Sequence, residues 1–307
     1  MTAMTIEIPN RERATSRFRS QRWIPFWLSG PAAIFFLILL GLPLLMTLAL
    51  SFYTFDYTQG IGETLTVSHY AEVLSDSYFH EIFLRTYAIS LVTTLLCVLL
   101  GAPEAYILYR MRNPWRSIFL LVTLGPLLIS VVVRTLGWVL LIGGNGLLSH
   151  AMQALGLAGT RGFSLMYTHT GVVIAMVHVL VPFMVISVWA SLRKLDMSTN
   201  DAALSLGASP FTALRRVIFP QILPGVLSGS LIVFALTASY FATPSIIGGR
   251  RLKVVATSVY DEYLSSMNWP LGATIAVVLL ILNVIIVMSY SRWVENRFRR
   301  TLGEGGA

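Results

Sequence analysis

Six apolar runs, each about the 20 residues a helix needs to cross bilayer hydrocarbon, constrain this chain more than any other feature. They fall roughly at 30–51, 86–109, 117–142, 171–190, 222–244 and 271–290. Composition agrees: of 307 residues, 55% are hydrophobic and 12% charged, against about 25% charged in soluble domains. Mean hydropathy is +0.72. The chain reads as an all-α integral membrane protein with six transmembrane helices.

The formal charge of +8 is explained by where the basic residues lie. Arg11, Arg13, Arg17, Arg19 and Arg22 precede the first run, and Arg110, Arg112 and Arg116 separate the second from the third. Arg193, Lys194, Arg215 and Arg216 lie between the fourth and fifth, and Arg292, Arg297, Arg299 and Arg300 follow the sixth. Sixteen of 22 basic residues therefore share one side, which the positive-inside rule assigns to the cytoplasm. Both termini are expected there, and no nucleic-acid footprint is needed to account for the charge. The organisation expected is a basic cytoplasmic segment 1–28, a six-helix transmembrane domain 29–292 and a cytoplasmic tail 293–307. The first run is too long for the core of a secretory signal and is read as a retained helix. The connection 52–85, with Asp56, Glu63, Glu72, Asp76 and Glu81, is expected to be a small periplasmic cap. Cys97 stands alone inside an apolar run, which excludes an intramolecular disulfide and a thiolate metal cluster; it is read as a small buried hydrophobe.

The largest internal loop, 191–221, holds most of the stretch "STNDAALSLGASPFTALRRVIFPQILPG", residues 198–225, which predicts two short helices about a sharp turn. Ser198 with Asp201 three residues on resembles a capping box. Ala202, Ala203, Leu204 and Leu206 propagate a helix, and Gly207 stops it, because glycine takes the left-handed turn without steric cost. Ser209 and Pro210 suit the cap and first position of a second helix. That helix runs over Phe211, Leu214, Val217 and Ile218 and is expected to end at Pro220.

This arrangement resembles the membrane subunits of binding-protein-dependent ABC importers. Their cytoplasmic motif reads Glu-Ala-Ala, three residues, Gly, nine residues, Ile-x-Leu-Pro. Here Asp201-Ala202-Ala203, Gly207 and Val217-Ile218-Phe219-Pro220 keep that spacing, with Asp for Glu, Val for Ile and Phe for Leu. The resemblance implies a type I ABC importer permease fold in the bacterial inner membrane and a coupling helix docked on an ATP-hydrolysing subunit. Asp201, Ala202, Ala203 and Gly207 would be its contacts, with Leu206, Ala208, Pro210, Arg215 and Pro220 completing the docking segment. It also implies a second homologous permease, two ATP-binding cassette subunits, a periplasmic solute-binding protein and surrounding membrane lipids as partners. "RTLGWVLLIGGNGLLS", "VPFMVISVWASLRKLD", "FPQILPGVLSGSLIVFALTASYFATPSIIGG" and "NWPLGAT" look like the first of the two polyamine-type permeases, a branch that includes phosphonate and opine relatives. Glu104, within "GAPEAY", stands where that family has an apolar residue.

Ionisable residues within spans are functional candidates by default, and three stand out. Glu104 is expected to pair with Arg110 or Arg112. Arg134 either anchors at the outer interface or faces the pathway. His178, four residues before Pro182, either bonds a carbonyl freed by the proline or meets another subunit. A polyamine site needs carboxylates and aromatic faces; the outer half of the spans offers Trp138, Tyr240 and Phe241 but no carboxylate. Ser230, Phe234, Thr237 and Tyr240 fall at helical spacing on the fifth span, so the pathway expected is Arg134, Trp138, Thr237, Tyr240 and Phe241. Gly225-x-x-x-Gly229 permits close helix contact.

No G-x-x-x-x-G-K-[ST] occurs in the chain, so ATP would be bound by partner subunits and no cofactor is expected. The absence of H-E-x-x-H and G-x-S-x-G argues against an enzyme, and the lack of an evident internal repeat argues against an inverted-repeat carrier. An ATP-independent carrier or channel remains the rival reading.

Overall fold

The structure, a computed structural model, describes residues 24–157, 162–195 and 197–303. The arginines expected in the N-terminal segment, Arg11 to Arg22, lie outside the described residues. Long apolar helices dominate because lipid offers a backbone no hydrogen-bond partner. In order they are α1 (Ile24–Leu50), α2 (Ser68–Ser75), α3 (Ser77–Arg110), α4 (Trp115–Leu128), α5 (Val131–Ile142), α6 (Leu147–Ala154) and α7 (His169–Leu192). Then follow α8 (Met197–Ser205), α9 (Pro210–Ala213), α10 (Phe219–Ala238), α11 (Val255–Leu264) and α12 (Trp269–Gly303). Six of the described helical segments are long and apolar enough to cross a membrane.

Polar residues start these helices. Asp76 accepts from the Tyr78 N–H at 2.8 Å to open α3, Thr168 from Gly171 at 3.1 Å to open α7, and Asn268 from Leu271 at 3.1 Å to open α12. Each satisfies an N–H that lacks an intrahelical partner.

The core lies where α3, α7 and α10 pack together. Glycines permit the approach: a Cβ on Gly225 would meet Ser191 Oγ at 2.5 Å and the Ser187 carbonyl oxygen at 2.7 Å, and one on Gly229 would meet Met184 Sδ at 2.8 Å. A smaller core of Phe79, Ile82, Val255, Leu271 and Ile275 sits at one end, where the Val255 N–H of α11 donates to Thr86 Oγ1 at 3.0 Å. Against this end lies an antiparallel hairpin, β1 (Tyr53–Asp56) with β2 (Gly60–Leu65), in register Tyr53 to Leu65 and Phe55 to Ile61. Its turn is held by Asp56, whose Oδ1 accepts from the Thr58 and Gln59 amides. Those bonds, with the Thr58 hydroxyl first, keep the carboxyl below its ordinary value. The cap expected at 52–85 is thus this hairpin, α2 and the first turns of α3. We call this the hairpin end, and the opposite end, with α8 and α9, the loop end.

Three expectations need correction. The third run, expected as one span over 117–142, is divided: Ile129 and Ser130 are extended between α4 and α5. Ser130 and the β-branched Ile129, Val131, Val132 and Val133 are weak helix formers just past Pro126. The fifth helix stops at Ala238 rather than near 244, and Pro244 begins a π-helical turn, Pro244–Gly248. The tail at 293 is not a separate segment, since α12 continues through it to Gly303.

Candidate functional site

At the loop end, α8 begins at Met197, one residue before the expected cap Ser198, so Ser198 and Asp201 lie inside its first turns. Gly207 has φ +86°. Its N–H donates to the Leu204 carbonyl at 3.0 Å, and the Ala208 N–H donates to the Ala203 carbonyl at 3.0 Å, the paired bonds of a Schellman end. Nothing lies within 4 Å of a Cβ built on Gly207. Ser209 Oγ then accepts from the Thr212 N–H at 3.2 Å with Pro210 in the first turn of α9.

Pro220 does not end that helix, contrary to expectation. A π-helical turn, Leu214–Ile218, joins α9 to α10, with the Phe219 N–H reaching back to the Leu214 carbonyl. Pro220 lies in the first turn of α10, where its missing N–H costs little. The second short helix and the fifth span are therefore one continuous helical rod, and α8 joins it through the turn at Gly207. Its free side is open: Asp201, Ala202 and Gly207 are exposed, Leu206 is 89% exposed and Phe211 70%. Arg215 is exposed beside them, and Ala203 and Ala208 are half-buried.

The second set of candidates lies toward the hairpin end, where the third span is divided. Arg134, in the first turn of α5, is 9% exposed. Its Nη1 donates to the Pro126 carbonyl and its Nη2 to the Tyr240 hydroxyl at 3.4 Å, while its buried Nε has no partner. The Pro126 carbonyl belongs to the last turn of α4, where orphan carbonyls carry partial negative charge. Arg134 thus clamps the C-terminal end of α4, the first half of the divided span. One turn on, Trp138 Nε1 donates to His178 Nδ1 at 3.3 Å with the rings edge to face at 5.5 Å. His178 is itself exposed, and its partner in this chain is the Trp138 indole.

The other pathway candidates do not join this group. Thr237 is buried and its hydroxyl donates to the Val233 carbonyl at 2.7 Å. Phe241 stacks on Tyr260 of α11 with centroids 4.7 Å apart. Phe234 stacks on Tyr87 at 6.0 Å, so the stripe expected on the fifth span is helix packing over much of its length. Glu104 accepts from the Thr123 hydroxyl of α4, and Arg110 instead donates to Tyr106 at 3.1 Å. The correction follows from α4 packing beside α3, which puts a hydroxyl nearer than the arginines at the helix end.

One polar site escaped the sequence reading. Arg250, Lys253, Asp261, Glu262, Ser265 and Ser266 line a cavity of about 590 Å³ at the hairpin end. Lys253 Nζ lies 2.8 Å from Asp261, whose hydrogen bond holds the ammonium above its ordinary pKa. The carboxylates of α11 and the serines just after it recur at a spacing of four, a signal that could have found them. Among the described residues, no cluster of His, Cys, Asp or Glu could hold a metal ion.

The chain is 30% identical over 251 residues to the spermidine/putrescine transport system permease protein PotB of Escherichia coli strain K12, covering 82% of this chain and 90% of that one. It is 27% identical over 259 residues to the PotB protein of Haemophilus influenzae, covering 84% and 89%. A crystal structure of a bacterial alginate ABC transporter, in complex with an alginate pentasaccharide-bound periplasmic protein, shares the fold. It matches with a TM-score of 0.71 at 15% identity, over 93% of this chain and 97% of that one. The family described as binding-protein-dependent transport system inner membrane component matches residues 18–300. With that match, the PotB likeness and the helical bundle together, the chain belongs to this family and is a multi-pass inner-membrane permease subunit of an ABC importer.

Proposed function

We propose that this permease carries a polyamine of the spermidine or putrescine kind into the cell, driven by ATP hydrolysis on partner subunits. The loop end with both termini is cytoplasmic, consistent with its arginines. The exposed face of α8, from Asp201 to Gly207, docks on an ATP-binding cassette subunit, with Leu206 as its apolar knob. Ala208, Pro210, Arg215 and Pro220 shape the turn behind it.

The observation that carries the reading is the continuous rod from α9 through the π-helical turn into α10. A push on α8 crosses only the short turn at Gly207 before it reaches the rod that leads into the fifth span. A second homologous permease, two ATPase subunits and a periplasmic solute-binding protein complete the machine, and the periplasmic protein bound to the alginate transporter supports the last of these. ATP itself is held by the ATPase subunits, so this chain needs no cofactor.

Substrate choice rests on the PotB relatives. Arg134 favours a second reading, an anionic solute such as a phosphonate, since a buried guanidinium attracts anions and repels amines. Uptake of labelled spermidine and 2-aminoethylphosphonate by cells with and without the chain separates the two.

The coupling role is tested by Gly207→Asp and Gly207→Asn. Either residue has room within this chain, and asparagine tolerates the left-handed turn. We expect Gly207→Asp to insert and fold but to lose solute-stimulated ATP hydrolysis, with Gly207→Asn retaining more. Wild-type coupling in Gly207→Asp would remove the docking assignment.

A further inference from the structure

An apolar groove runs along the outside of the bundle near the loop end. Its volume is about 480 Å³. Ala102 and Tyr106 of α3 form one wall, Leu214 of the π-helical joint and Phe219 at the start of α10 the other, and Ile222 and Val226 of α10 the floor. Both floor residues are buried, and Phe219 at the rim is half exposed. Tyr106 carries the polar group nearest the loop end, and Arg110 is held on it. Its guanidinium lies 5.8 Å from the Tyr106 ring centroid, and Nη1 donates to the Tyr106 hydroxyl at 3.1 Å. Arg110 is exposed and has no acidic partner among the described residues.

We infer that this groove binds an anionic phospholipid, its acyl chain along Ala102, Ile222 and Val226 and its phosphate on Arg110. Charge complementarity selects the occupant. A fixed cation at the mouth of an apolar slot matches an amphiphile with a negative head and a hydrocarbon tail. An apolar helix laid in the same groove would leave that cation unanswered. The tail would also lie against Leu214 and Phe219, the two ends of the joint between α9 and α10, so an occupied groove stiffens the rod.

The test uses the transporter complex purified through this chain and placed in nanodiscs of phosphatidylethanolamine with phosphatidylglycerol. Native mass spectrometry counts retained lipid. Loss of one surface cation is expected to weaken retention of phosphatidylglycerol about fivefold in Arg110→Gln, with Arg110→Lys close to wild type and phosphatidylethanolamine unchanged. Ala102→Phe, which fills the slot and keeps the cation, is expected to lose the same lipid. Arg110 is exposed, so Arg110→Gln tests the charge even where Ala102→Phe fails to fold. Equal phosphatidylglycerol retention by Arg110→Gln and wild type would overturn the assignment. So would efficient cross-linking of Ala102→Cys to another protein chain in native membranes, which would make the groove a subunit contact.

Discussion

Helices α1 and α7 are close in length and nearly equal in hydropathy, at 2.7 and 2.5, yet the apolar window of α1 is 0% buried and that of α7 is 67% buried. Both would be drawn as the same cylinder in a topology diagram. What separates them is side-chain size, their own and that of their neighbours. Lipid is as apolar as leucine, so helices associate in membranes through close packing rather than by escaping water. The outward residues of α1 are large: Ile34, Phe35, Phe36 and Leu37 are more than half exposed. In α7, Ala175, Ser187 and Ser191 leave room, and Gly101, Gly225 and Gly229 press in from α3 and α10. Hydropathy identifies a span; the distribution of small residues decides which spans form the centre.

The largest blow to this contrast is Gly225→Leu. Its Cβ would meet a backbone carbonyl at 2.7 Å, an atom that moves only if α7 and α10 separate. Overpacking of this kind costs about 3 kcal/mol or more. We expect a sharp drop in the SDS-unfolding midpoint, and an unchanged midpoint would show that the contact does not hold the bundle. Met184→Ala comes next. Met184 is fully buried and lies against both Gly101 and Gly229. A cost of about 2 kcal/mol is expected, the low end for such truncations, because lipid removes most of the transfer contribution. A cost near zero would mean the cavity collapses, and that the close fit adds little.

The sequence made legible what depends on local chemistry. Six spans, the left-handed stop at Gly207 and the capping by Ser209 all follow from residue type at fixed spacing. The division at Ile129 and Ser130 was hidden because every residue from Leu124 to Val133 except Gly125, Pro126 and Ser130 is apolar, and a hydropathy count does not register a missing turn. Pro220 misled for a related reason: the π-helical turn just before it takes up the bond its missing N–H would leave, so the helix runs on. The partners of Glu104 and Arg134 were set by which helices touch. Thr123 and Tyr240 lie 19 and 106 residues away from them in sequence, so no local pattern links them.

Outside the membrane the contrast softens, and so do the expected effects. Lys253 and Asp261 meet at 2.8 Å but remain partly exposed, at 27% and 34%. Asp261→Asn should therefore cost only about 0.5 kcal/mol at neutral pH. The sign of its pH dependence is fixed. A lysine whose folded pKa is raised contributes stability that is complete below its unfolded value and lost as pH rises through the folded one. The unfolding midpoints of wild type and Asp261→Asn should differ between pH 6 and 9 and converge above the ordinary lysine range. A difference that persists there would assign the effect to the Asp261 hydrogen bond rather than to charge.

Leu37→Ala on α1 is expected to have the smallest effect. Leu37 is 73% exposed, and among the described residues α1 touches the rest of the chain chiefly at α12. Its hairpin end is pinned elsewhere, with Ser51 Oγ bonded to the Tyr70 hydroxyl at 2.6 Å and the Ser51 carbonyl accepting from Thr274 at 3.2 Å. Removing a lipid-facing isobutyl group exchanges one hydrocarbon contact for another, so the unfolding midpoint of the isolated chain should move by less than about 0.5 kcal/mol. The same substitution in the assembled transporter sharpens the comparison. If α1 faces lipid there too, the change stays negligible. A loss approaching that of Met184→Ala would mean that another chain packs against α1, and that its unburied state belongs to the isolated subunit alone.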